Sequence, residues 1–203
     1  ACTGEEMTFT ITVNPTAQVD EIEDVILCNG VESLPIEFNS NNSGGTTSFT
    51  WTNDNVDIGL ASEGQNLIDS FIPINTNDFP IEAIITVTPT FENSDIDCLG
   101  EPEQFKIIVN PSPQVVFSED NQFITSGETT ASVDLTSPTS GVTFAWTAVA
   151  DNGITGLTTT SGTNSIPEET LFNTTTDPLT VIYTAVASGN IGFDCEGLPF
   201  YYE

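Results

Sequence analysis

The chain has 203 residues, of which 30 are Asp or Glu and one is Lys or Arg, and it has no His, so its formal net charge is −29. This charge excludes nucleic acid as a partner, because binding phosphates needs clustered Lys and Arg, and it opposes binding to anionic membranes. Hydrophobic residues make up 37% of the chain, which argues against disorder, and no apolar run is long enough for a transmembrane helix, so no membrane insertion is predicted.

In chain order, the sequence predicts short strands separated by turns. Apolar and polar residues alternate, with many Val, Ile, Thr and aromatic side chains, in six segments: residues 9–13, 48–52, 81–88, 105–109, 142–147 and 179–186. Polar clusters rich in Gly, Asn, Ser and Thr separate several of these segments. No window carries a sustained 3.6-residue apolar stripe, and an all-β fold is therefore predicted.

The same motifs recur about 96 residues apart. Residues 2–15 and 98–111 agree at eight of fourteen positions, and Phe49-Thr-Trp51 is matched by Phe144-Ala-Trp146. Self-similarity at a fixed period indicates a repeat architecture. We predict residues 1–14 to be the closing strand of a preceding repeat. Residues 15–110 form a complete repeat, and residues 111–203 form a second repeat that is truncated before its closing strand ends.

Each unit combines about seven predicted short strands with one central Trp, which is typical of an immunoglobulin-like sandwich. Trp51 and Trp146 occupy the same repeat position in the middle of a strand. We predict both to be core residues rather than exposed sugar-binding platforms. An Asn-Pro pair at 14–15 and again at 110–111 ends one unit and starts the next, which predicts short and fairly stiff joints.

In their order along the chain, these motifs resemble the PKD-like, immunoglobulin-like repeats found in tandem in large secreted surface proteins of Bacteroidetes-type bacteria. The resemblance spans the whole chain and rests on Cys28-Asn-Gly30, Phe49-Thr-Trp51, Ile85-Thr-Val87, Cys98-Leu-Gly-Glu-Pro102 and the closing residues 105–111. The second unit departs from it at Thr125-Ser-Gly127, which lacks the early Cys. The resemblance implies an extracellular, cell-surface protein, often secreted by the type IX route, with a role in adhesion or gliding motility.

The four Cys are far apart and show no zinc-binding spacing, which leaves disulfides or reduced thiols. Within one repeat the early and the late Cys are the natural partners, and the unit 15–110 has both. We therefore predict a Cys28–Cys98 disulfide, with Cys2 and Cys195 unpaired in this chain. Four reduced thiols are the alternative.

We predict no catalytic residues and no enzymatic activity. Without His, a Ser or Cys nucleophile lacks its usual base, and Lys106 is present in one unit alone. No cofactor is predicted, apart from a calcium ion that remains to be tested. Acidic residues crowd around the first joint, where carboxylates could bind calcium or simply provide surface charge: Glu5, Glu6, Asp20, Glu21, Glu23 and Asp24.

The leading interpretation is structural: a stalk or filament segment that holds an adhesive region of a large protein away from the cell. Its partners would be neighbouring repeats and other copies in a filament. The alternative is a module that binds a glycan or protein ligand directly, and a third reading is an accessory domain of a secreted hydrolase. Residues 9–13 and the open edge of the second unit are mutually complementary. Either the residues missing from each repeat fill these gaps, or neighbouring chains exchange strands.

Overall fold

A computed structural model describes residues 3–190 and 194–202 of the protein. Strands make up 43% of the structure and helical turns 2%, which confirms the predicted all-β class. Among the described residues, no helix is long and apolar enough to cross a membrane.

The first unit is built on one large sheet. Its elements are β1 (Val25–Cys28), β2 (Ile36–Glu37), β3 (Thr46–Asn53), a 3-10 turn (Val56–Ile58), β4 (Glu63–Gln65), β5 (Leu67–Ile68), β6 (Ile81–Asn93), β7 (Ile96–Leu99) and β8 (Glu103–Asn110). The sheet has the order β1-β8-β6-β3-β4, β7 pairs with β6, and β2 pairs with β5 in a small second layer. β1 runs parallel to β8, whereas β8, β6, β3 and β4 are antiparallel neighbours.

The second unit repeats the central part of this arrangement. Its strands are β9 (Val116–Phe117), β10 (Val133–Thr136), β11 (Val142–Ala150), β12 (Ile154–Thr155), β13 (Ser161–Gly162), β14 (Ser165–Ile166), β15 (Phe172–Asn173), β16 (Val181–Asn190), β17 (Asp194–Glu196) and β18 (Phe200–Tyr202). The larger sheet has the order β13-β11-β16-β17, with β18 also on β16. It faces a sheet of order β14-β10-β9, and β12 pairs with β15.

The two units differ at their last strand. In the first unit Phe105 of β8 pairs with Ile85 of β6, and in the second unit Tyr202 of β18 pairs with Tyr183 of β16. β18 therefore holds the place of the first part of β8. The second part of β8 has no counterpart among the described residues of the second unit, and residues 122–125, equivalent to β1, are not in a strand.

Each unit has its own hydrophobic core, with a Trp in it. The exposed fraction is 5% for Trp51 and 2% for Trp146, which confirms that both are core residues. The two indole N–H groups donate equivalent hydrogen bonds of 2.9 Å, to the carbonyl oxygens of Leu67 and Ser165 respectively. The two clusters share no residue, so the units can be regarded as separate packing bodies.

The segment that precedes the first unit lies outside both sheets. Residues 9–13, which the sequence predicts to be the closing strand of a preceding repeat, form neither strand nor helix here, and that assignment stays a prediction. The apolar side chains of this segment are exposed, with Phe9 at 86%, Ile11 at 75% and Val13 at 87%. A strand needs a neighbouring strand to satisfy its backbone groups, and within the described residues this segment is paired with none.

Candidate functional site: the joint between the units

A disulfide joins the two units. Cys28, the last residue of β1 in the first unit, is bonded to Cys195 in β17 of the second unit, with a Cα–Cα distance of 5.5 Å and a sequence separation of 167 residues. The predicted Cys28–Cys98 disulfide is therefore wrong, as is the expectation that Cys195 is unpaired. Cys98 is a half-buried free thiol, and Cys2 lies outside the described residues.

The pairing follows from where each Cys lies on the sheet. Cys28 lies beside Asn110, at the end of β6 that begins with Ile81, whereas Cys98 pairs with Phe91 near the other end of β6. Ten residues of strand separate these two ends, which is roughly 30 Å. A disulfide needs Cα atoms within about 7 Å. An early and a late Cys of the same unit therefore cannot meet, whereas those of successive units can.

Hydrogen bonds hold the joint from the first unit's side. Asn29, which follows the disulfide Cys, donates its backbone N–H to the Asn110 carbonyl (2.9 Å) and its side-chain amide to the Ser112 hydroxyl (3.1 Å). The Asn29 side-chain oxygen accepts a hydrogen bond from the backbone N–H of Asn75 (2.8 Å). These contacts anchor the chain that leaves β8 to the body of the first unit, and Asn110 itself is buried.

A close backbone contact holds the joint from the second unit's side. Pro113 is fully buried, and Gly197 lies so close to it that a Cβ on Gly197 would overlap the Pro113 carbonyl. Gly100 makes the same contact with Ala17 at the start of the first unit. This contact explains the Gly of the late Cys-x-Gly motif, at Gly100 and Gly197, because a Gly there lets the hairpin pack on the incoming chain. In the second unit the Cys of this motif is bonded to the preceding unit.

The acidic residues considered as calcium ligands are not brought together. A carboxylate oxygen of Asp20 accepts a hydrogen bond from the Asn41 side chain (2.7 Å), and one of Asp24 accepts from the backbone N–H of Lys106 (2.8 Å). Glu5, Glu6, Glu21 and Glu23 are exposed. Across residues 3–190 and 194–202, the structure holds no group of three or more acidic, Cys or His side chains that could bind a metal ion.

Glu169 is a buried carboxylate with a structural role, which the sequence pattern does not distinguish from its neighbour Glu168. It is buried, and its two oxygens accept hydrogen bonds from the hydroxyl and N–H of Thr158 and from the N–H of Thr159, at 2.8 to 3.2 Å. Burial raises the pKa of Glu169, but these hydrogen bonds outweigh it and hold the pKa below its ordinary value. The carboxylate thus anchors the loop between β12 and β13.

Replacing Glu169 by Gln should destabilise the second unit at neutral pH by about 1 to 3 kcal/mol, because the loop loses hydrogen bonds to a charged acceptor. A depressed pKa stabilises the folded state above the unfolded value of about 4.3, and that contribution disappears as the pH falls through the lower folded pKa. The difference between wild type and Glu169→Gln should therefore shrink below about pH 4. Urea titrations of both proteins from pH 3 to 7 measure it.

Glu168→Gln is the matched control, because the neighbouring Glu168 is exposed. It removes one negative charge as well but no buried hydrogen bond, and its stability should stay within about 0.5 kcal/mol of wild type at every pH. Equal effects of the two substitutions would show that general charge repulsion, and not the anchoring of this loop, sets the acid sensitivity.

Comparison with known proteins supports the fold of the second unit. Residues 122–203 match the family model of a PKD-like domain. No curated protein matches the chain. A solved structure described as "Crystal structure of YadV chaperone at 1.63 Angstrom" is 12% identical and covers 92% of this chain and 100% of its own, with a TM-score of 0.31, a likeness too low to carry an argument. Residues 122–203 are thus similar to a PKD-like domain, and this similarity together with the inter-unit disulfide indicates an extracellular immunoglobulin-like module.

Proposed function

We propose that this protein is a stiff segment of an extracellular stalk, which holds an adhesive region of a bacterial surface protein away from the cell. The observation that carries the proposal is the joint: a disulfide bond and the Asn29–Ser112 hydrogen bond link two units that have separate cores. A module that acted alone would need no covalent bond to its neighbour. A spacer does, because each free joint would let it fold back on itself.

The connection between the units is packed rather than flexible. β8 ends at Asn110 and β9 begins at Val116, and between them Pro113 and Val115 are buried. A flexible linker is exposed and rich in Gly and polar residues. In this joint the linking residues are part of the second unit's own packing, so bending the joint would expose apolar surface as well as strain the disulfide.

The surface chemistry fits a spacer better than an enzyme. With 30 acidic side chains against one basic side chain, neighbouring molecules repel each other and stay soluble. Among the residues that the structure describes, no group of side chains could bind a metal ion, and the sequence has no His. We propose no catalytic role for this chain. Its partners in the stalk would be the neighbouring repeats.

The rigidity of the joint is the property to measure. Spin labels can be attached through unnatural amino acids at two exposed positions, Thr50 on β3 and Thr147 on β11. Pulsed electron paramagnetic resonance should then give one narrow distribution of the distance between the two labels. Replacing both Cys28 and Cys195 by Ala should broaden it, because only the hydrogen bonds and packing of the joint remain. Cys98→Ala should leave it unchanged. A broad distribution in the disulfide-bonded protein would contradict the stalk proposal.

A further inference from the structure

The Cys28–Cys195 disulfide lies on the path that tension would take through the chain. A pull applied before Cys28 and after Cys195 has two covalent routes between these residues, the backbone through residues 29–194 and the bond itself. The two Cα atoms are 5.5 Å apart, but their sequence separation is 167 residues, a backbone that extends to at least about 550 Å. A taut chain carries force along its shortest covalent connection, and here that connection is the disulfide.

The strands on either side of the bond lead the chain into the joint and out of it. β1 is an edge strand of the first unit's sheet, and its last residue is Cys28. In the second unit Cys195 of β17 pairs with Gly189 of β16, and Tyr202 of β18 pairs with Tyr183, seven residues and six residues further along the two strands. The chain therefore approaches the bond along one unit and leaves it along the sheet of the other.

These strands have little slack. A strand already rises about 3.3 Å per residue, and a fully extended chain spans at most about 3.3 to 3.6 Å per residue. Tension favours a change in proportion to the length that the change adds, so it gains little by pulling on β1, β17 or β18. Their partners β8 and β16 lie within residues 29–194, outside the short route.

Both hydrophobic cores lie almost entirely outside the short route. Apart from Tyr202, every residue of the two buried clusters lies between Cys28 and Cys195 in the sequence. While the bond is intact, unfolding either cluster adds no length between the two points at which the chain is pulled. Tension then has no means of favouring that unfolding.

We propose that the Cys28–Cys195 disulfide has a mechanical function: it carries tension past both units, so that their cores stay folded under a pull that would otherwise unfold them. Without the bond, the same tension passes through residues 29–194 and both cores are stretched. The proposal takes the source of the tension from the stalk function proposed above, but the route of the force depends on the connectivity alone. A flexible joint in the spin-label experiment would therefore contradict the stalk and leave this proposal standing.

The route of the force can be measured with optical tweezers. Handles are attached through unnatural amino acids at exposed Glu21 and exposed Tyr201, which lie outside the disulfide-closed loop. Seven residue steps lead from Glu21 to Cys28 and six from Cys195 to Tyr201, so the oxidised protein should never exceed about 50 Å between the handles. Replacing both Cys by Ala should allow about 600 Å, a gain of more than about tenfold.

Reduction of the wild-type protein provides the same comparison without a substitution. A molecule is held at a tension that unfolds the double Ala variant, and a dithiol reductant is added, which is oxidised to its own disulfide as Cys28 and Cys195 become thiols. The distance between the handles should then rise from below about 50 Å to about 600 Å. Cys98→Ala is the matched control and should behave as wild type, whereas a bond from Cys28 to Cys98 would give about 360 Å in the oxidised wild type.

Moving the handles separates the route of the force from general stabilisation by the bond. With handles at exposed Thr50 and exposed Thr147, inside the loop, the shorter covalent route still contains 70 residue steps. The oxidised protein should therefore unfold and extend to about 230 Å in this geometry. Equal resistance to unfolding in the two geometries would overturn the proposal, and so would an oxidised wild type that extends by hundreds of Å between Glu21 and Tyr201.

Discussion

Replacing both Cys28 and Cys195 by alanine should lower the free energy of unfolding by about 2 to 5 kcal/mol. The disulfide spans 167 residues of sequence, and the chain-entropy treatment gives about 5 kcal/mol for a loop of that length. The figure changes little if the second unit unfolds alone, because the folded first unit holds Cys28 beside Asn110 and a long loop, from residue 111 to 195, is still closed.

Denaturant titrations of the oxidised wild type, the double Ala variant and Cys98→Ala measure this loss. Cys98→Ala is the matched control, since it removes a half-buried thiol that makes no disulfide, and it should cost less than about 1.5 kcal/mol. The double variant should also separate the two units into distinct transitions. If it instead unfolds at the same denaturant concentration as Cys98→Ala, the bond does not clamp the joint.

The all-β class, the repeat and the central Trp could all be predicted, because each is recorded in local sequence. Alternation of apolar and polar residues is itself the strand signal. A motif such as Phe-x-Trp that recurs at a fixed distance then has the same environment in each unit, as Trp51 and Trp146 show. Neither inference requires knowledge of the contacts between units.

The disulfide could not be predicted in this way. The repeat shows that Cys98 and Cys195 occupy equivalent positions. It does not show whether Cys28 pairs with Cys98 of its own unit or with Cys195 of the next unit, because both pairings join the same two motifs. The deciding fact is the parallel pairing of β1 with β8, which carries Cys28 to the opposite end of the sheet from Cys98. That pairing is a long-range contact, and only the three-dimensional order of the strands reveals it.

The anchoring carboxylate was hidden for a different reason. Glu168 and Glu169 are both acidic and adjacent, and composition treats them alike. Because successive side chains of an extended segment point to opposite sides, one is exposed and the other is buried. Which of the two side chains faces inward depends on the register of a short segment beside β15. Two adjacent acidic residues show no alternation of apolar and polar side chains, so the sequence does not indicate this register.

Replacing Trp146 by alanine should cost the second unit about 3 to 5 kcal/mol. The Trp146 indole packs against Tyr183 with a centroid distance of 5.7 Å and lies against Gly162, where a Cβ would approach the ring to 2.7 Å. Its N–H bond to Ser165 crosses from the larger sheet to the facing one.

The arrangement of one Trp per unit makes the measurement specific. In Trp146→Ala the remaining Trp51 fluorescence reports unfolding of the first unit, while circular dichroism reports both, so the two signals should separate, with the second unit unfolding first. Trp51→Ala is the reciprocal variant. The substitution Thr147→Ala, at an exposed position, should change the free energy of unfolding reported by either signal by no more than about 0.5 kcal/mol. Coincident signals in Trp146→Ala would mean that the disulfide-bonded joint makes both units unfold as one, and that their separate cores do not give separate stabilities.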